Sequence, residues 1–253
     1  MSETNPTLTA LFTDIADAIR EKIGGIAIIV ADDFPDVIRE RLQVIPPLPT
    51  YLAFSSPNSF TLAIGDATKH WDGTLEYSTN TSTWSTWDGT TTLSSAISGS
   101  DNVLYLRGTG NTVITGNNSD YKWVLTGSDI ACIGNIENLL DYATVQSGAH
   151  PTMTTYCYYG MFYHCTSLTQ APALPATTLA IGCYANMFNN CTSLKLSTTQ
   201  TGEYTVAYRI PTTGTGRTAT SALNDMFTGT GGTFTGTPEI NKTYYLSNTN
   251  TIV

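Results

Sequence analysis

The residues that could bind a metal, act as nucleophiles or carry protons are five cysteines and three histidines. Four cysteines form two pairs, Cys157 with Cys165 and Cys183 with Cys191, and the members of each pair lie 8 residues apart. The CxxC or His-rich spacing of a zinc site is absent from the sequence. We therefore interpret these cysteines as reduced core residues, with a disulfide or a metal site as the alternatives.

The histidines and acidic residues form no catalytic motif. His70, His150 and His164 are scattered, without HExxH and without an acidic neighbour in sequence to orient an imidazole. No nucleophile elbow is present, and the Gly-rich stretches lack the lysine of a phosphate loop. Carboxylates for glycoside hydrolysis pair in space and not in sequence, so the 20 acidic residues leave that option open. We expect no enzymatic activity, no cofactor and no metal.

Aromatic rings are the remaining candidates for a ligand site. Trp71-Asp-Gly-Thr recurs as Trp87-Asp-Gly-Thr, 16 residues later, and flat rings beside hydroxylated neighbours suit carbohydrate. The tyrosines of the repeats described next could form a second such surface. The alternative is that the tryptophans pack on their sheet and the tyrosines are partly buried spacers. The predicted ligand face comprises Tyr158, Tyr159, Tyr163, Tyr184, Trp71 and Trp87.

The segment that carries the four tyrosines is a sequence repeat. The segment CYYGMFYHCTSL at 157–168 returns as CYANMFNNCTSL at 183–194, with every matched position 26 residues further on. A third, eroded copy, LNDMFTGTG, begins at Leu223 and is displaced by 39 residues. A fixed period in this range predicts a solenoid, because one unit of a short strand plus a helical turn cannot bury its own apolar face.

The repeated sequence motifs also resemble a known family. MFxxCTSL, joined by Ala171–Ala180 to the next CYxxMFxxCTSL, is similar to the BspA-like leucine-rich repeats of bacterial surface and gut-phage proteins. The resemblance covers about residues 123 to 253. It implies a short leucine-rich-repeat-like solenoid with capping ends.

Composition indicates an exterior protein without an export signal. Charged residues make up 12% of the chain, roughly half the usual share. The net charge of −9 and the lack of a basic patch argue against nucleic acid. The N-terminus lacks the pattern of a signal peptide, and the longest apolar run, 26–31, is too short to span a bilayer. A virion component, folded in the host cytoplasm and exposed on the particle surface, satisfies both observations.

The first 45 residues predict two amphipathic helices, separated by Gly24-Gly25. Their sequence resembles the IADAIRxKTG…DFPxxI segment of phage and prophage structural proteins, which implies an attachment module. The alternative is a helical hairpin that packs on the next domain. The residues expected to attach the chain to the virion or to further copies are Leu8, Leu11, Phe12, Ile15, Ile19, Phe34, Val37 and Ile38.

Two further segments complete the predicted organisation. Three prolines between residues 46 and 50 favour a stiff, extended linker. Residues 51–127 show short runs of alternating character separated by Asp-Gly and similar turns, which predict an antiparallel β sandwich or sheet. We therefore predict a multidomain, mainly β protein with a helical anchor at 1–45, a linker at 46–50, a β-rich domain at 51–127 and a leucine-rich-repeat domain at 128–253.

The resemblances imply a phage virion structural protein, whether head fibre, capsid decoration or tail-fibre or baseplate component. Its expected partners are capsid or tail proteins and further copies of itself, of which a trimer is one form, together with a host-surface glycan. Nucleic acid and a membrane span are not expected. The alternatives are a secreted bacterial surface adhesin and a tail-associated glycan hydrolase.

Overall fold

The computed structural model describes residues 51–247, which lie within one compact unit of the chain, Pro49–Val253. The predicted anchor 1–45 and linker 46–50 lie outside the described residues. The same holds for the eight predicted attachment residues, Leu8, Leu11, Phe12, Ile15, Ile19, Phe34, Val37 and Ile38. Within residues 51–247, no helix is long and apolar enough to cross a membrane.

The described region is mainly β, as predicted, and its strands form three sheets. The elements in chain order are β1 (Leu52–Ser56), β2 (Thr61–Ile64), β3 (Thr74–Ser78), β4 (Ser85–Trp87), β5 (Leu93–Ser94), β6 (Ala96–Ser98), β7 (Asp101–Thr109), a 3-10 turn (Ser119–Tyr121), β8 (Trp123–Thr126), β9 (Ile130–Ile133), α1 (Asn138–Gln146), β10 (Leu168–Gln170), β11 (Lys195–Ser197), β12 (Tyr204–Arg209), β13 (Gly231–Gly232) and β14 (Thr243–Ser247). The first sheet has the order β10-β9-β1-β7-β3-β4, with β6 also paired to β7. The other two are β5-β2-β8 and β12-β14-β11-β13.

Strand β1 lies at the centre of the first sheet. Phe54 pairs with Leu104 of β7 on one side and with Cys132 of β9 on the other, both antiparallel. All five residues of β1 are buried. Its first three residues are apolar. The buried hydroxyls of Ser55 and Ser56 donate to Asp101 Oδ2 at 3.4 Å and to Ser128 O at 2.8 Å, so these two serines can be buried without losing their hydrogen bonds.

One sheet continues across residue 127, where the sequence predicted a domain boundary. Strand β9 comes from the region assigned to the repeats, yet it pairs with β1, and β10 then extends the same sheet in parallel. Buried side chains from both regions belong to one core. The physical reason is that β7 covers only one edge of β1, and the chain after residue 127 supplies the strand for the other edge.

Residues 112–115, one of the short alternating runs of the predicted β-rich domain, form no strand. This segment is a loop whose main-chain amides donate hydrogen bonds to the first repeat and to the side chain of Asp72. The amides of Ile114 and Thr115 donate to Cys157 O at 2.9 and 3.1 Å. The Asp72 carboxylate accepts from the amides of Thr112 and Val113 at 2.8 and 3.2 Å, and these bonds outweigh burial and lower the pKa of Asp72.

The repeated segments are stacked runs of turns, where the sequence predicted a helical turn in each unit. Alternate amides close turns within a copy, as in Met161 N to Tyr158 O at 3.2 Å. The amides between them donate to the next copy, as in Phe162 N to Met187 O at 2.8 Å and Phe188 N to Met226 O at 3.0 Å. Matched positions of the three copies are therefore held in register, across both the 26-residue and the 39-residue displacement.

Left-handed backbone recurs at every fourth residue of each copy. The matched positive-φ sets are Tyr156, Gly182 and Ser221, then Gly160, Asn186 and Asp225, then His164, Asn190 and Gly229. Glycine and asparagine tolerate this conformation best, which explains most of these residue types. Gly182 is also required sterically, because a Cβ there would lie 2.4 Å from the Tyr156 ring.

Ladders of identical side chains fill the interior of the stack. The rings of Phe162, Phe188 and Phe227 follow one another at 5.5 Å, with interplanar angles of 8° and 4°. All five cysteines are free and buried, in agreement with their interpretation as reduced core residues. Such a stack has no core without neighbouring copies, because each ring is covered by the ring of the next layer.

Candidate functional site

Four of the six residues predicted to form the ligand face are buried and cannot contact a ligand. Trp71 and Trp87 are 3% and 1% exposed, and Tyr158 and Tyr184 are fully buried. The tryptophans pack on each other at 5.2 Å, and the two tyrosines stack at 5.6 Å across adjacent copies. The packing alternative is therefore correct for the two tryptophans, whereas Tyr158 and Tyr184 are fully buried and not the partly buried spacers of the alternative. The sequence around these residues does not show that other parts of the fold cover them.

A different tryptophan, Trp84, reaches the surface in a group we call the Arg107 cluster: Tyr51, Glu76, Trp84, Arg107 and Tyr142. The Arg107 guanidinium lies 4.1 Å from the Trp84 ring and 4.7 Å from the Tyr142 ring. Its Nε donates to Glu76 Oε2 at 2.7 Å. Burial opposes the charge, but the Glu76 carboxylate outweighs it and raises the pKa of Arg107.

The Arg107 cluster is better suited to stabilising the sheet than to binding sugar. Because the guanidinium lies over both Trp84 and Tyr142, it occupies ring surface that a ligand would need. The cluster joins β3, β7, the residue before β4 and α1, so no short sequence motif could have revealed it.

The two remaining predicted residues, Tyr159 and Tyr163, are partly exposed and belong to a second group. We call this group the amide–aromatic face and define it as Tyr159, Tyr163, His164, Asn186 and Asn190. The Tyr163 and His164 rings meet edge to face at 4.3 Å. The Lys122 ammonium lies 5.4 Å from the centroid of the Tyr163 ring and adds a positive charge beside this group.

Hydrogen bonds between side chains hold the amide–aromatic face together across two copies of the repeat. Asn190 Nδ2 donates to His164 Nε2 at 3.3 Å and to Asn189 Oδ1 at 2.7 Å. Asn189 Nδ2 donates to Asn186 Oδ1 at 3.0 Å, and Asn186 Nδ2 donates to the Tyr159 hydroxyl at 3.2 Å. This series fixes the amide orientations before any ligand arrives.

The local backbone explains why these side chains come together. Asn186 and Asn190 have φ values of 56° and 59°, and His164 has a φ of 63°. All three residues have left-handed backbone. His164 and Asn190 are matched residues of successive copies, so the stack places one beside the other. Sequence reasoning missed both asparagines. The available signal was that asparagine occupies repeat positions taken by glycine, histidine or aspartate in other copies.

The other two histidines have acidic partners in space, although neither has an Asp or Glu beside it in sequence. His70 Nε2 lies 2.9 Å from the Asp66 carboxylate, and its ring stacks on Tyr121 at 3.5 Å. His150 Nδ1 lies 2.8 Å from Glu137 Oε2. Asp66 is four residues before His70 and was visible at helical spacing, whereas Glu137 is brought to His150 only by the fold. Within the described residues, no three His, Cys, Asp or Glu side chains form a group that could hold a metal ion.

The amide–aromatic face can donate and accept hydrogen bonds and can offer ring surface to a polar ligand. Its side chains are phenols, amides and one imidazole, and the Lys122 ammonium lies beside it, 5.4 Å from the centroid of the Tyr163 ring. This combination suits a neutral, hydroxyl-rich molecule better than a strongly charged one. Comparison of the chain with protein-family models, curated proteins and solved structures gives no match.

Proposed function

We propose that this chain is a structural protein of a phage virion, without enzymatic activity, that displays residues 51–247 on the particle surface and binds host glycan there. The observation that carries the glycan part is the amide–aromatic face, in which prearranged Asn amides lie beside partly exposed tyrosine rings. Fixed amide donors and acceptors recognise hydroxyl groups with little ordering cost.

The virion assignment is supported by the sequence of the first 45 residues and by composition. The segment 8–42 resembles the attachment segment of phage structural proteins, and the chain is poor in charge. Its apolar residues are proposed to contact capsid or tail proteins and further copies of the chain. Head and tail positions are equally compatible with this proposal.

We further propose that the stacked turns are a short solenoid of the BspA-like leucine-rich-repeat type, joined to an antiparallel β-sheet region. The support is the agreement between the sequence periods and the register of the backbone hydrogen bonds between copies. The antiparallel pairing of β1 with β7 and of β2 with β8 supports the sheet part.

A glycan array tests the binding function. The full chain is expected to bind a subset of bacterial surface glycans. Tyr159→Ala and Asn186→Gly should each reduce affinity at least tenfold, and the glycine variant keeps the left-handed backbone because the first copy has Gly160 at this position.

Asp225→Gly is the matched control for the glycan experiment. Asp225 has the same backbone conformation in the third copy, but that copy has Asn224 and Thr228 where the first has Tyr159 and Tyr163. Its affinity should stay within twofold of the unchanged chain. Equal loss in the control and in Asn186→Gly, or no glycan bound at all, would contradict the proposed binding.

Incorporation into particles tests the virion assignment separately. Leu11→Asp and Ile15→Asp in the full chain should prevent incorporation, because a charge would lie within the predicted apolar stripe. Asp14→Asn and Glu21→Gln, on the predicted polar side, should not. Cryo-electron microscopy of the particle should show residues 8–42 in contact with another subunit; a segment that touches no other subunit would exclude the attachment role.

A further inference from the structure

A cavity of about 300 Å³ lies between the segment after α1 and the segment that joins the first two repeats. Its lining residues are Glu137, His150, Pro151, Thr152, Met153, Ala176, Thr177, Thr178, Leu179 and Ala180. Glu137, Ala176 and Leu179 are buried, whereas His150, Thr152 and Thr178 are exposed. The cavity is thus polar at its mouth and has one carboxylate among its buried residues. Its volume is at the low end of the roughly 300–1,000 Å³ of ligand pockets, which fits one small molecule.

The carboxylate of Glu137 has one bonded oxygen and one without a partner. Oε2 lies 2.8 Å from His150 Nδ1, while Oε1 is buried and has no hydrogen-bond partner among the described residues. The side chain is only 1% exposed. Burial raises the pKa of Glu137, although His150 and Asn135 act in the opposite direction. A buried carboxylate oxygen without a donor is costly. Oε1 has almost no accessible surface, so a ligand in the cavity reaches it only by displacing a lining side chain, and the new hydrogen bond would offset that cost.

We propose that the cavity binds a small molecule through a primary ammonium group, which donates to Glu137 Oε1. The proposal is independent of the amide–aromatic face and of the virion assignment. It rests on the volume of the cavity, the unpartnered carboxylate oxygen and the apolar side chains of Pro151, Met153 and Leu179, which would surround the body of the ligand.

An ammonium group fits this position better than a hydroxyl or an anion. A neutral imidazole can donate from Nδ1 to Oε2, and the ammonium then donates to Oε1, which leaves the buried carboxylate with one opposite charge. Hydrogen bonds between charged partners are roughly twice as strong as those between neutral ones. An anionic ligand would instead place a second negative charge beside Glu137.

The test uses three probes that share a ring and differ in charge: benzylamine, benzyl alcohol and benzoate. The full chain is titrated with each at pH 8, where an ordinary imidazole is neutral and an ordinary alkylamine is charged. Amide resonances of residues 150, 152, 153 and 176–180 report binding in the cavity. Benzylamine should shift these resonances with a dissociation constant at least tenfold lower than that of benzyl alcohol, and benzoate should not shift them.

Two variants and one control connect binding to the carboxylate and to the cavity. Glu137→Gln should weaken benzylamine binding at least tenfold while keeping the shape of the side chain. Thr178→Trp, at an exposed position of the mouth, should block entry and have the same effect with little risk to folding. The control Glu203→Gln removes an exposed carboxylate elsewhere and should leave affinity unchanged.

The outcomes separate clearly. Binding of benzylamine that is lost in Glu137→Gln and Thr178→Trp supports the site. No shift with benzylamine, equal affinity for benzyl alcohol, or full binding by Glu137→Gln would overturn it. If Glu137→Gln does not fold, the comparison of benzylamine with benzyl alcohol and the Thr178→Trp variant decide. Glycan binding by the same variants should be unchanged, so failure here is distinguishable from failure of the proposed adhesion.

Discussion

At the scale of single residues, the stack buries its cysteine thiols, which are potentially reactive, among apolar side chains. Cys165 Sγ donates to Trp123 O of β8 at 3.0 Å, and Cys191 Sγ donates to Phe162 O of the first copy at 2.9 Å, so each thiol bonds to a main-chain carbonyl. Burial raises the pKa of Cys165 to about 11 and that of Cys183 to about 12. A thiol in this state is a poor nucleophile and a good core residue.

The first prediction concerns alkaline pH. The folded pKa of Cys183 is raised to about 12, above the ordinary value of 9.0 expected for the unfolded chain. The unfolded chain therefore loses this proton first, and the stabilisation is complete below pH 9 and declines as pH rises towards 12. Between pH 8 and pH 10 this thiol alone should reduce the free energy of unfolding by about 1.4 kcal/mol.

Urea unfolding of the unchanged chain and of Cys183→Ala at pH 8 and pH 10 measures this effect. The variant is less stable at both values, but its loss between them should be smaller by about 1.4 kcal/mol. Tyr208, whose pKa is also raised by burial, is present in both chains and contributes equally to both curves. Identical losses in the two chains would contradict the role of the thiol.

The second prediction concerns Arg107. Arg107→Lys should lower the free energy of unfolding by about 1 kcal/mol, because an ammonium group cannot lie flat against Trp84 and Tyr142 while it bonds to Glu76. Urea denaturation measures the change. Arg217→Lys is the control, since that side chain is exposed, and its effect should be within about 0.5 kcal/mol. Equal effects would show that stacking contributes nothing.

At the scale of elements, the repeat is defined by its backbone conformation as much as by its apolar ladder. Each copy has left-handed residues at intervals of four, and the amides between copies bond in register. Each amide that closes a turn therefore alternates with one that bonds to the next layer. This arrangement satisfies the main chain of a segment that has neither helix nor long strand.

A third prediction tests the left-handed positions. Ser221 has a φ of 57° and is exposed. Ser221→Gly should stabilise the chain by about 0.5 kcal/mol, whereas Ser221→Val should destabilise it by about 1–2 kcal/mol, because a β-branched side chain resists this conformation. Thermal unfolding gives both values. Thr220→Val, at an exposed neighbour whose φ is not positive, should have little effect; a loss as large as that of Ser221→Val would exclude backbone strain as the cause.

At the scale of the whole described region, the sheets and the stack form one core. Phe54 of β1 contacts Trp123 and Phe162 at centroid distances of 6.3 and 6.1 Å, and Phe162 begins the ladder that continues through Phe188. No domain boundary separates these side chains. We therefore expect residues 51–247 to unfold as one cooperative unit.

A fourth prediction follows from that continuity. All four tryptophans, at 71, 84, 87 and 123, precede the repeats. Phe188→Leu, in the middle of the ladder, should nevertheless lower the midpoint of the transition seen by tryptophan fluorescence, with a cost of about 1–2 kcal/mol. The exposed Ile181→Ala in the same copy should cost less than about 0.5 kcal/mol. An unchanged fluorescence midpoint in Phe188→Leu, or two separate transitions, would show that the repeats unfold independently.

The period of the repeat was readable from sequence because it is enforced locally. Matched residues such as Phe162 and Phe188 must occupy the same place in each layer, and each amide between layers bonds to the carbonyl of the residue just before its match, as in Phe162 N to Met187 O. The mainly β character and most strands of residues 51–127 were likewise visible, since alternation and Asp-Gly turns act over a few residues. Tyr159 and Tyr163 were predicted in the same way, as repeat positions, and both are partly exposed.

The tertiary structure alone decided which side chains face solvent and which pair. Tyr158 and Tyr159 are adjacent in sequence, yet one is buried and the other partly exposed, because a neighbouring layer covers only the first. Glu137 meets His150 only because α1 and the following segment return the chain to the same place. The spacing of residues along the chain determines a repeating backbone pattern. Burial and side-chain pairing instead depend on segments that are distant in sequence, and a local motif does not show which of these segments come together.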